Sequence, residues 1–272
     1  MASVNTNYGA SIALQNLNKT NSELERTQNR INTGMKVSSA KDSGAIFAIA
    51  TSQRAAASAQ DSVRSSIQRG QSIVDVALAA GDTITAALEE MKGLAVSIAG
   101  STGSAKTSYE NEFAALGQEI KSALDGASFD GVNLLKTAST GGTAVNVRIG
   151  TGATDTKTIG ITTDLSANTD LAKFTAASPT VADFTSANVD LVMTAVTTAL
   201  STLGTQSKSL GRQISFVNKL QDALEAGVGN LVDADLAKES AKLTALQTKQ
   251  QLGVQALSIA NSSSQTLLGL FR

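Results

Sequence analysis

The sequence predicts a mainly α fold, a rod-like antiparallel bundle of long helices with coiled-coil packing and a small β-hairpin region. Proline occurs once in 272 residues, so little in the chain interrupts a helix. Aromatic residues make up only 3% of the chain, which favours helices packed closely through Ala, Leu, Val and Ile. Apolar residues also recur at alternating steps of three and four, the a/d spacing of coiled coils.

The first predicted helix covers about residues 10–31. Two of its seam positions are polar, and such positions fix the register of a helix pair at a cost in stability. We therefore expect this helix to be marginal alone. Gly34 is the expected stop, because glycine readily takes the left-handed conformation that caps a helix. The seam consists of Ala10, Leu14, Leu17, Asn21, Leu24, Gln28 and Ile31.

The second predicted helix begins near Asp42, a good cap residue, and runs to about Ala99. Every seam position is either large and apolar or small, and no polar residue interrupts the pattern. Each interior glycine costs about 1 kcal/mol of helix propensity but lets a partner approach closely, so packing must offset that cost. The seam is Val63, Ile67, Gly70, Val74, Ala77, Gly81, Ile84, Leu88, Met91, Ala95 and Ile98.

The middle of the chain predicts a third helix and then a hairpin. Thr107 and Glu110 have the spacing of a capping box for that helix. Its apolar face would consist of Phe113, Leu116, Ile120 and Leu124. Alternating apolar residues then predict two short strands, with Val145, Val147 and Ile149 in the first and Ile159 and Ile161 in the second. Residues 163–186 are rich in Thr, Ala and Ser and are expected to be irregular.

A fourth helix is predicted from about Val189, interrupted by glycine near Gly227, and a fifth is expected to start at a cap residue, Asp233. Asp235 lies two residues further on, and a capping role for this pair is favoured over a metal or acid–base pair. The fourth seam is Val189, Met193, Val196, Leu200, Leu203, Ser207, Leu210, Ile214, Val217, Gln221 and Leu224. The fifth is Leu236, Leu243, Leu246, Gln250, Gly253, Leu257, Ala260, Ser264, Leu267 and Phe271.

The last helix carries a second apolar stripe away from its seam, made of Leu252, Ala256, Ile259 and Leu270. One antiparallel partner would leave this stripe uncovered, and apolar residues all round a helix indicate burial on all sides. Other copies of the same protein are the simplest cover.

Composition excludes most chemistry. The chain has no Cys and no His, which removes disulfides, thiolate chemistry, imidazole bases and the usual zinc ligands, so we expect no enzyme activity and no cofactor. The 22 basic and 23 acidic residues leave no basic footprint for nucleic acid. No apolar run approaches the ~20 residues that span a bilayer, and no cleaved leader is visible, so we expect no membrane partner.

Two segments resemble bacterial flagellin, the subunit of the flagellar filament. The first is RINTGMKVSSAKDSGA, residues 30–45, and the second is residues 233–272, with DADLAKES at its start and SIANSSSQTLLGLFR at its end. LEEMKGLAVSIAG and SFDGVNLL are weaker matches between them. The signature residues are Arg30, Gly34, Ala40, Lys41, Asp42, Asp233, Asp235 and Asn261.

The resemblance implies a secreted structural subunit that polymerises into the extracellular filament that drives swimming. It implies an inner domain of residues 1–40 and 233–272, and a helical body of 41–232 with the hairpin around 144–163. A large outer variable domain has no room in this chain. Implied partners are other copies, other flagellins, hook-associated and cap proteins, and an export chaperone. The expected intersubunit residues are Leu14, Leu17, Leu24, Ile31, Leu243, Leu246, Leu252, Leu257, Ile259, Leu267, Leu270 and Phe271.

Three other functions share features with this sequence. A hook–filament junction protein of the same assembly shares the terminal helices and stays open as the alternative. A cytoplasmic coiled-coil adaptor fits the heptads but not the apolar last turn. A flagellin with an inserted zinc peptidase needs a His-Glu-x-x-His helix, which a chain without His cannot form. Receptor-activating flagellins have an Arg-rich segment similar to QRVREL. At the corresponding position this chain has Glu89-Glu90-Met91-Lys92-Gly93-Leu94, which reverses the charge, so recognition by the vertebrate flagellin receptor is doubtful.

Overall fold

The computed structural model describes residues 7–136, 144–162, 164–176 and 181–269, with the backbone alone for 181 and 263–269. Within these residues the chain forms six α-helices and one two-stranded antiparallel sheet, which confirms the mainly α class. The chain divides into two compact units, Met1–Ala55 with Ala223–Arg272 (unit 1) and Ala56–Asp222 (unit 2). The domain boundaries expected from the sequence stay a prediction.

The helices are long, and the strands are short. The elements are α1 (Tyr8–Thr33), α2 (Gly44–Gly100), α3 (Gly103–Gly126), β1 (Val145–Arg148), β2 (Thr156–Ile159), α4 (Thr169–Thr175), α5 (Ser186–Val232) and α6 (Leu236–Gly269). A short 3₁₀ turn, Val181–Asp183, lies between α4 and α5. Gly34 has φ 70° and caps α1, as its position in the sequence predicted.

The core of unit 2 lies between α2 and α5. Every predicted seam residue of α2, from Val63 to Ile98, is buried. The two helices run antiparallel, since Lys92 pairs with Asp190 at 2.6 Å near one end while Arg64 donates to Gln221 at 3.1 Å near the other. The interior glycines Gly70 and Gly81 let packing partners approach α2 closely, as the sequence predicted. A Cβ at Gly81 would overlap Leu200, and one at Gly70 would overlap Val147.

The hairpin forms in the predicted place. Val145 pairs with Ile159, and the strands run antiparallel. Val147 and Ile159 are buried in the core of unit 2. Gln206 of α5 holds the end of β2, because its side chain accepts the N–H of Gly160 at 2.9 Å and donates to the carbonyl of Gly160 at 2.8 Å. The side chain of Gln206 thus forms, with both backbone groups of Gly160, the hydrogen bonds that a neighbouring strand would otherwise form.

Two predictions for the middle of the chain were wrong. The third helix begins at Gly103, so Thr107 lies inside it and forms no capping box. The segment expected to be irregular contains α4, which is capped by Asn168 and buries Leu171 and Phe174. Phe174 packs edge-on against Phe113 of α3 with ring centroids 5.3 Å apart. Burial of two large side chains outweighs the weak local helix propensity here.

The predicted interruption at Gly227 is also absent, since α5 continues to Val232. Val228 and Val232 are buried against Val37 and Ala50 in the core of unit 1. Packing of these valines compensates for the glycine cost.

Two helix starts differ from the predicted caps. Helix α2 begins at Gly44, and Ser43 rather than Asp42 precedes it and accepts the N–H of Ile46 at 3.5 Å. Helix α6 begins at Leu236, and Asp235 rather than Asp233 accepts the N–H of Lys238 at 3.1 Å. Asp42 instead accepts hydrogen bonds from Ser38 and Ser39 in the turn before α2. Asp233 forms an isolated bridge with Met35 before α6.

The closest backbone approach in unit 2 generates a prediction. A Cβ at Gly117 would overlap the carbonyl group of Phe174, and a backbone atom cannot swing aside as a side chain can. We expect Gly117→Ala to lower the free energy of unfolding by about 1–3 kcal/mol. Gly204→Ala is the matched control, because nothing lies within 4 Å of its Cβ. Thermal unfolding by circular dichroism should show the control unchanged or stabilised by up to about 1 kcal/mol. Equal effects of the two substitutions would contradict the packing account.

Candidate functional site

The two chain ends meet in unit 1, where α1 and α6 pack along each other over most of their length. Three polar contacts show that they run antiparallel. Asn7 Nδ2 donates to the carbonyl of Ala260 at 2.9 Å, Gln250 Nε2 donates to Asn21 Oδ1 at 2.8 Å, and Arg30 Nη1 pairs with Glu239 Oε1 at 3.0 Å. The polar seam positions noted at Asn21 and Gln250 therefore face each other.

Small residues let the two helices approach closely. A Cβ at Gly253 would lie 3.2 Å from Leu17 Cδ1 and 3.9 Å from Leu17 Cβ. A Cβ at Gly9 would lie 3.8 Å from the Cβ of Ala260. Gly253 thus leaves room for the Leu17 side chain in the seam, and Gly9 lies beside Ala260.

Nine of the twelve predicted assembly residues have described side chains, and these nine fall into two groups. Six lie partly or fully buried along the α1–α6 seam, namely Leu17, Leu24, Ile31, Leu243, Leu246 and Leu257. Three are exposed: Leu14 at 49%, Leu252 at 59% and Ile259 at 68%. Leu267 lies in α6 where the structure describes only the backbone, and Leu270 and Phe271 lie outside the described residues.

Further apolar residues on these helices are exposed, and the sequence pattern did not predict their exposure. They are Tyr8 and Ile12 on α1 and Val254 on α6, together with Leu236, which the sequence had placed in the seam. The signal was available, because Tyr8, Ile12 and Val254 are apolar at positions away from the a/d pattern. Besides Leu14 and Leu236, the seam also differs from the prediction at Gln28. Gln28 is exposed, and Thr27 takes its place as the buried residue of α1.

The signature segment of residues 30–45 joins the two chain ends. The amides of Lys36 and Val37 donate to the carbonyl of Val232 at 2.6 and 3.3 Å. The amide of Ala234 donates to the carbonyl of Gly34 at 2.9 Å, and Met35 forms an isolated bridge with Asp233. The left-handed Gly34 turns the chain into this contact. Two distant signature segments are therefore neighbours in unit 1.

Asp42 organises the same turn. Its Oδ2 accepts the amides and hydroxyls of both Ser38 and Ser39 at 3.1–3.2 Å. The backbone hydrogen bonds from Ser39 and Ser38, with smaller contributions from the hydroxyls, hold the pKa of Asp42 below its ordinary value of 3.8. Of the other signature residues, Ala40, Lys41 and Asn261 are exposed.

The described residues show neither a candidate metal site nor a candidate membrane span. Searching them finds no group of three or more His, Cys, Asp or Glu side chains placed to hold a metal ion. Likewise, none of the helices in this part of the chain is both long and apolar enough to cross a membrane. Glu89 and Glu90 of α2 are both exposed, so they place acidic charge on the surface of unit 2.

Comparison with known proteins gives a consistent result. Residues 4–140 match the family model of the bacterial flagellin N-terminal helical region, and residues 186–271 match that of the C-terminal helical region. The chain is 50% identical to flagellin FljK of Caulobacter vibrioides over 99% of this chain and 98% of that protein. It is 42% identical to a flagellin of Brucella melitensis over the full length of both. The crystal structure of Bacillus cereus flagellin is similar to this chain with a TM-score of 0.39 at 20% identity, covering 58% of this chain and 86% of that one.

The hydrogen bonds to Asp42 predict that its contribution to the stability of the folded chain depends on pH. A lowered folded pKa means that the contribution of Asp42 to stability is fully present above the ordinary value of 3.8 and is lost as pH falls through the folded pKa. We expect the amide resonances of Ser38 and Ser39 to titrate with a midpoint below 3.8. Asp42→Asn should abolish that titration, whereas Lys41→Gln in the same turn should leave it. A midpoint at or above 3.8 would contradict the account.

Proposed function

Because this chain belongs to the bacterial flagellin family and is a structural subunit of the flagellar filament, we propose that neighbouring copies cover the apolar residues that α1 and α6 leave exposed. The family is structural and not enzymatic. Nothing in the comparisons favours the hook–filament junction alternative.

The observation that carries the proposal is how little the terminal helices bury in one chain. Helix α1 has 26 residues, and Thr27, a polar residue, is its one fully buried side chain. In the described side chains of α6, Leu246 alone is fully buried, at 4% exposure. Ordering a residue costs roughly 1–2 kcal/mol of backbone entropy, so this pair gains little by itself.

Burial of the exposed apolar side chains in the filament would supply the stabilisation that the pair lacks by itself. Leu252 and Ile259 of α6 and Leu14 of α1 keep about half or more of their surface in water. Fully burying such a side chain contributes about 1.5–3 kcal/mol. Contacts with several neighbours would add these contributions, so a polymer can stabilise helices that a single chain holds weakly.

The same reasoning extends to partners other than identical copies. Other flagellins, hook-associated proteins and cap proteins would meet the exposed face of α1 and α6 at the two ends of the filament. An export chaperone would cover α6 before assembly. The chain would reach the extracellular flagellum by secretion. In this arrangement residues 1–40 and 233–272 form the inner domain, and 41–232 form the helical body.

Recognition by the vertebrate flagellin receptor is a separate matter. Glu89 and Glu90 are exposed, so a receptor surface that accepts the basic residues of QRVREL would meet two carboxylates here. Like charges placed opposite each other cost affinity, and this supports weak recognition.

The proposal predicts that apolar residues on the exposed face act in assembly and not in folding. We expect the double substitution Leu252→Ser with Ile259→Ser to leave the thermal unfolding of the unassembled chain nearly unchanged, because both side chains are exposed. The critical concentration for filament growth should rise at least about tenfold, since tenfold corresponds to about 1.4 kcal/mol. Sedimentation and electron microscopy measure this quantity.

Gln255→Ser is the matched control, because Gln255 is an exposed polar residue on the same helix. It should assemble as the native chain does. Normal filament growth by the double variant at the native critical concentration would refute the proposal. A loss of helix content in the unassembled double variant would show that these leucine and isoleucine side chains stabilise the fold instead.

The acidic pair yields a second prediction. In a cell reporter assay for the vertebrate receptor, the native chain should signal weakly, because Glu89 and Glu90 present the wrong charge. Glu89→Arg should strengthen the response, whereas Glu112→Arg, at an exposed position on α3, should not. A native response as strong as that of an agonist flagellin would overturn the inference.

A further inference from the structure

The polar contacts between α1 and α6 carry one inference beyond assembly itself. We propose that the Asn21–Gln250 hydrogen bond and the Arg30–Glu239 ion pair set a single register of α1 on α6. They are positioning residues, which decide which apolar side chains of the two helices lie side by side on the exposed face. The importance of this register for the filament rests on the proposed function, but the register itself does not.

The apolar seam does not define the register. Its residues repeat every seven positions on both helices, so a slip of one heptad again brings an apolar residue of α1 opposite an apolar or small residue of α6. In the native register Leu17 lies against Gly253. After a slip of seven residues Leu17 would face Ala260 instead. Hydrophobic contact alone distinguishes these two arrangements weakly.

The polar residues distinguish them strongly. The same slip would put Asn21 opposite Leu257 and Arg30 opposite Leu246, which is the most deeply buried leucine among the described side chains of α6. The amide of Asn21 would lose its partner at 2.8 Å, and the guanidinium of Arg30 would lose its carboxylate at 3.0 Å. A buried polar group without a partner lowers the population of such a state by roughly tenfold or more.

The ion pair is partly buried, which adds to this cost. The side chains of Arg30 and Glu239 are 25% and 13% exposed. Removal of the partner from a buried charge costs far more than removal from a charge in water. A polar pair at a seam position is a known way to specify the register of a helix pair at the expense of stability.

Engineered disulfides can report the register, because the native chain has no Cys. The variant Leu17→Cys/Gly253→Cys reports the native register, since its Cβ atoms would lie 3.9 Å apart, within the 3.5–4.5 Å range that a disulfide requires. The variant Leu17→Cys/Ala260→Cys reports the slipped register. In the native register its second cysteine lies about 10 Å further along α6, at about 1.5 Å per residue, and is out of reach.

The experiment places each reporter in the full-length chain, with and without Asn21→Leu/Gln250→Leu. Dilute protein is oxidised, and intramolecular disulfides are identified by mass spectrometry of the peptides. With the native polar pairs, the native-register disulfide should form in far higher yield than the slipped one. Without the amide pair, the slipped disulfide should rise at least about tenfold. Arg30→Met/Glu239→Leu should produce a rise of the same kind.

The control is Gln15→Leu/Gln247→Leu, which adds two leucines at exposed positions of the same helices. With this control substitution, the native-register reporter should form its disulfide, and the slipped-register reporter should form no more than it does in the native background. The proposal is wrong if the slipped disulfide is no more abundant in the amide variant than in this control, or if the native-register disulfide is not favoured with the polar pairs intact. Filament growth is measured separately. A variant that slips yet still assembles would show that the register is set as proposed but is not needed for the filament.

Discussion

The fold depends on how unevenly apolar burial is divided between the helices. Helix α2 buries every seam residue from Val63 to Ile98, and α5 buries Val189, Val196, Leu203, Leu210 and Val217. By contrast, Thr27 is the one buried side chain of α1, and Leu246 is the one buried among the described side chains of α6. On α1 and α6 the seam residues Leu17, Leu24, Ile31, Leu243 and Leu257 are only partly buried, and the polar residues Asn21 and Gln250 occupy two further seam positions. Other apolar residues of the pair, Leu14, Leu252 and Ile259, are exposed. We propose that neighbouring copies in the filament cover these exposed residues and thereby stabilise the pair.

Close packing also explains the glycines of unit 2. Gly81 admits Leu200, and Gly117 admits the backbone of Phe174, so each glycine loses helix propensity and gains a contact that no larger residue could make. Gln206 serves a related purpose at the hairpin, where one side chain satisfies both backbone groups of Gly160. These contacts let a four-residue strand pair persist beside two long helices.

Sequence periodicity revealed the long helices and the hairpin, because the seams of α2 and α5 and the alternation at Val145–Ile149 each report one buried face. It failed where tertiary contacts decide the local structure. Burial of Leu171 and Phe174 created α4, and burial of Val228 and Val232 carried α5 past Gly227. The Arg30–Glu239 pair was also missed, since it follows from the register of two helices more than two hundred residues apart in sequence. The exposed stripe at Leu252 and Ile259 was predictable, because it required only the pattern of one helix.

Hydrogen exchange of the backbone amides, compared between unassembled chains and filaments, tests the central claim most directly. If the terminal helices are completed by neighbouring copies, amides of α6 from Gln250 onward exchange fast in the unassembled chain and slow sharply in the filament. Amides of α2 around Ile67–Leu88 would be protected in both states, because their side chains are buried within one chain. Protection of α6 equal to that of α2 before assembly would contradict the account.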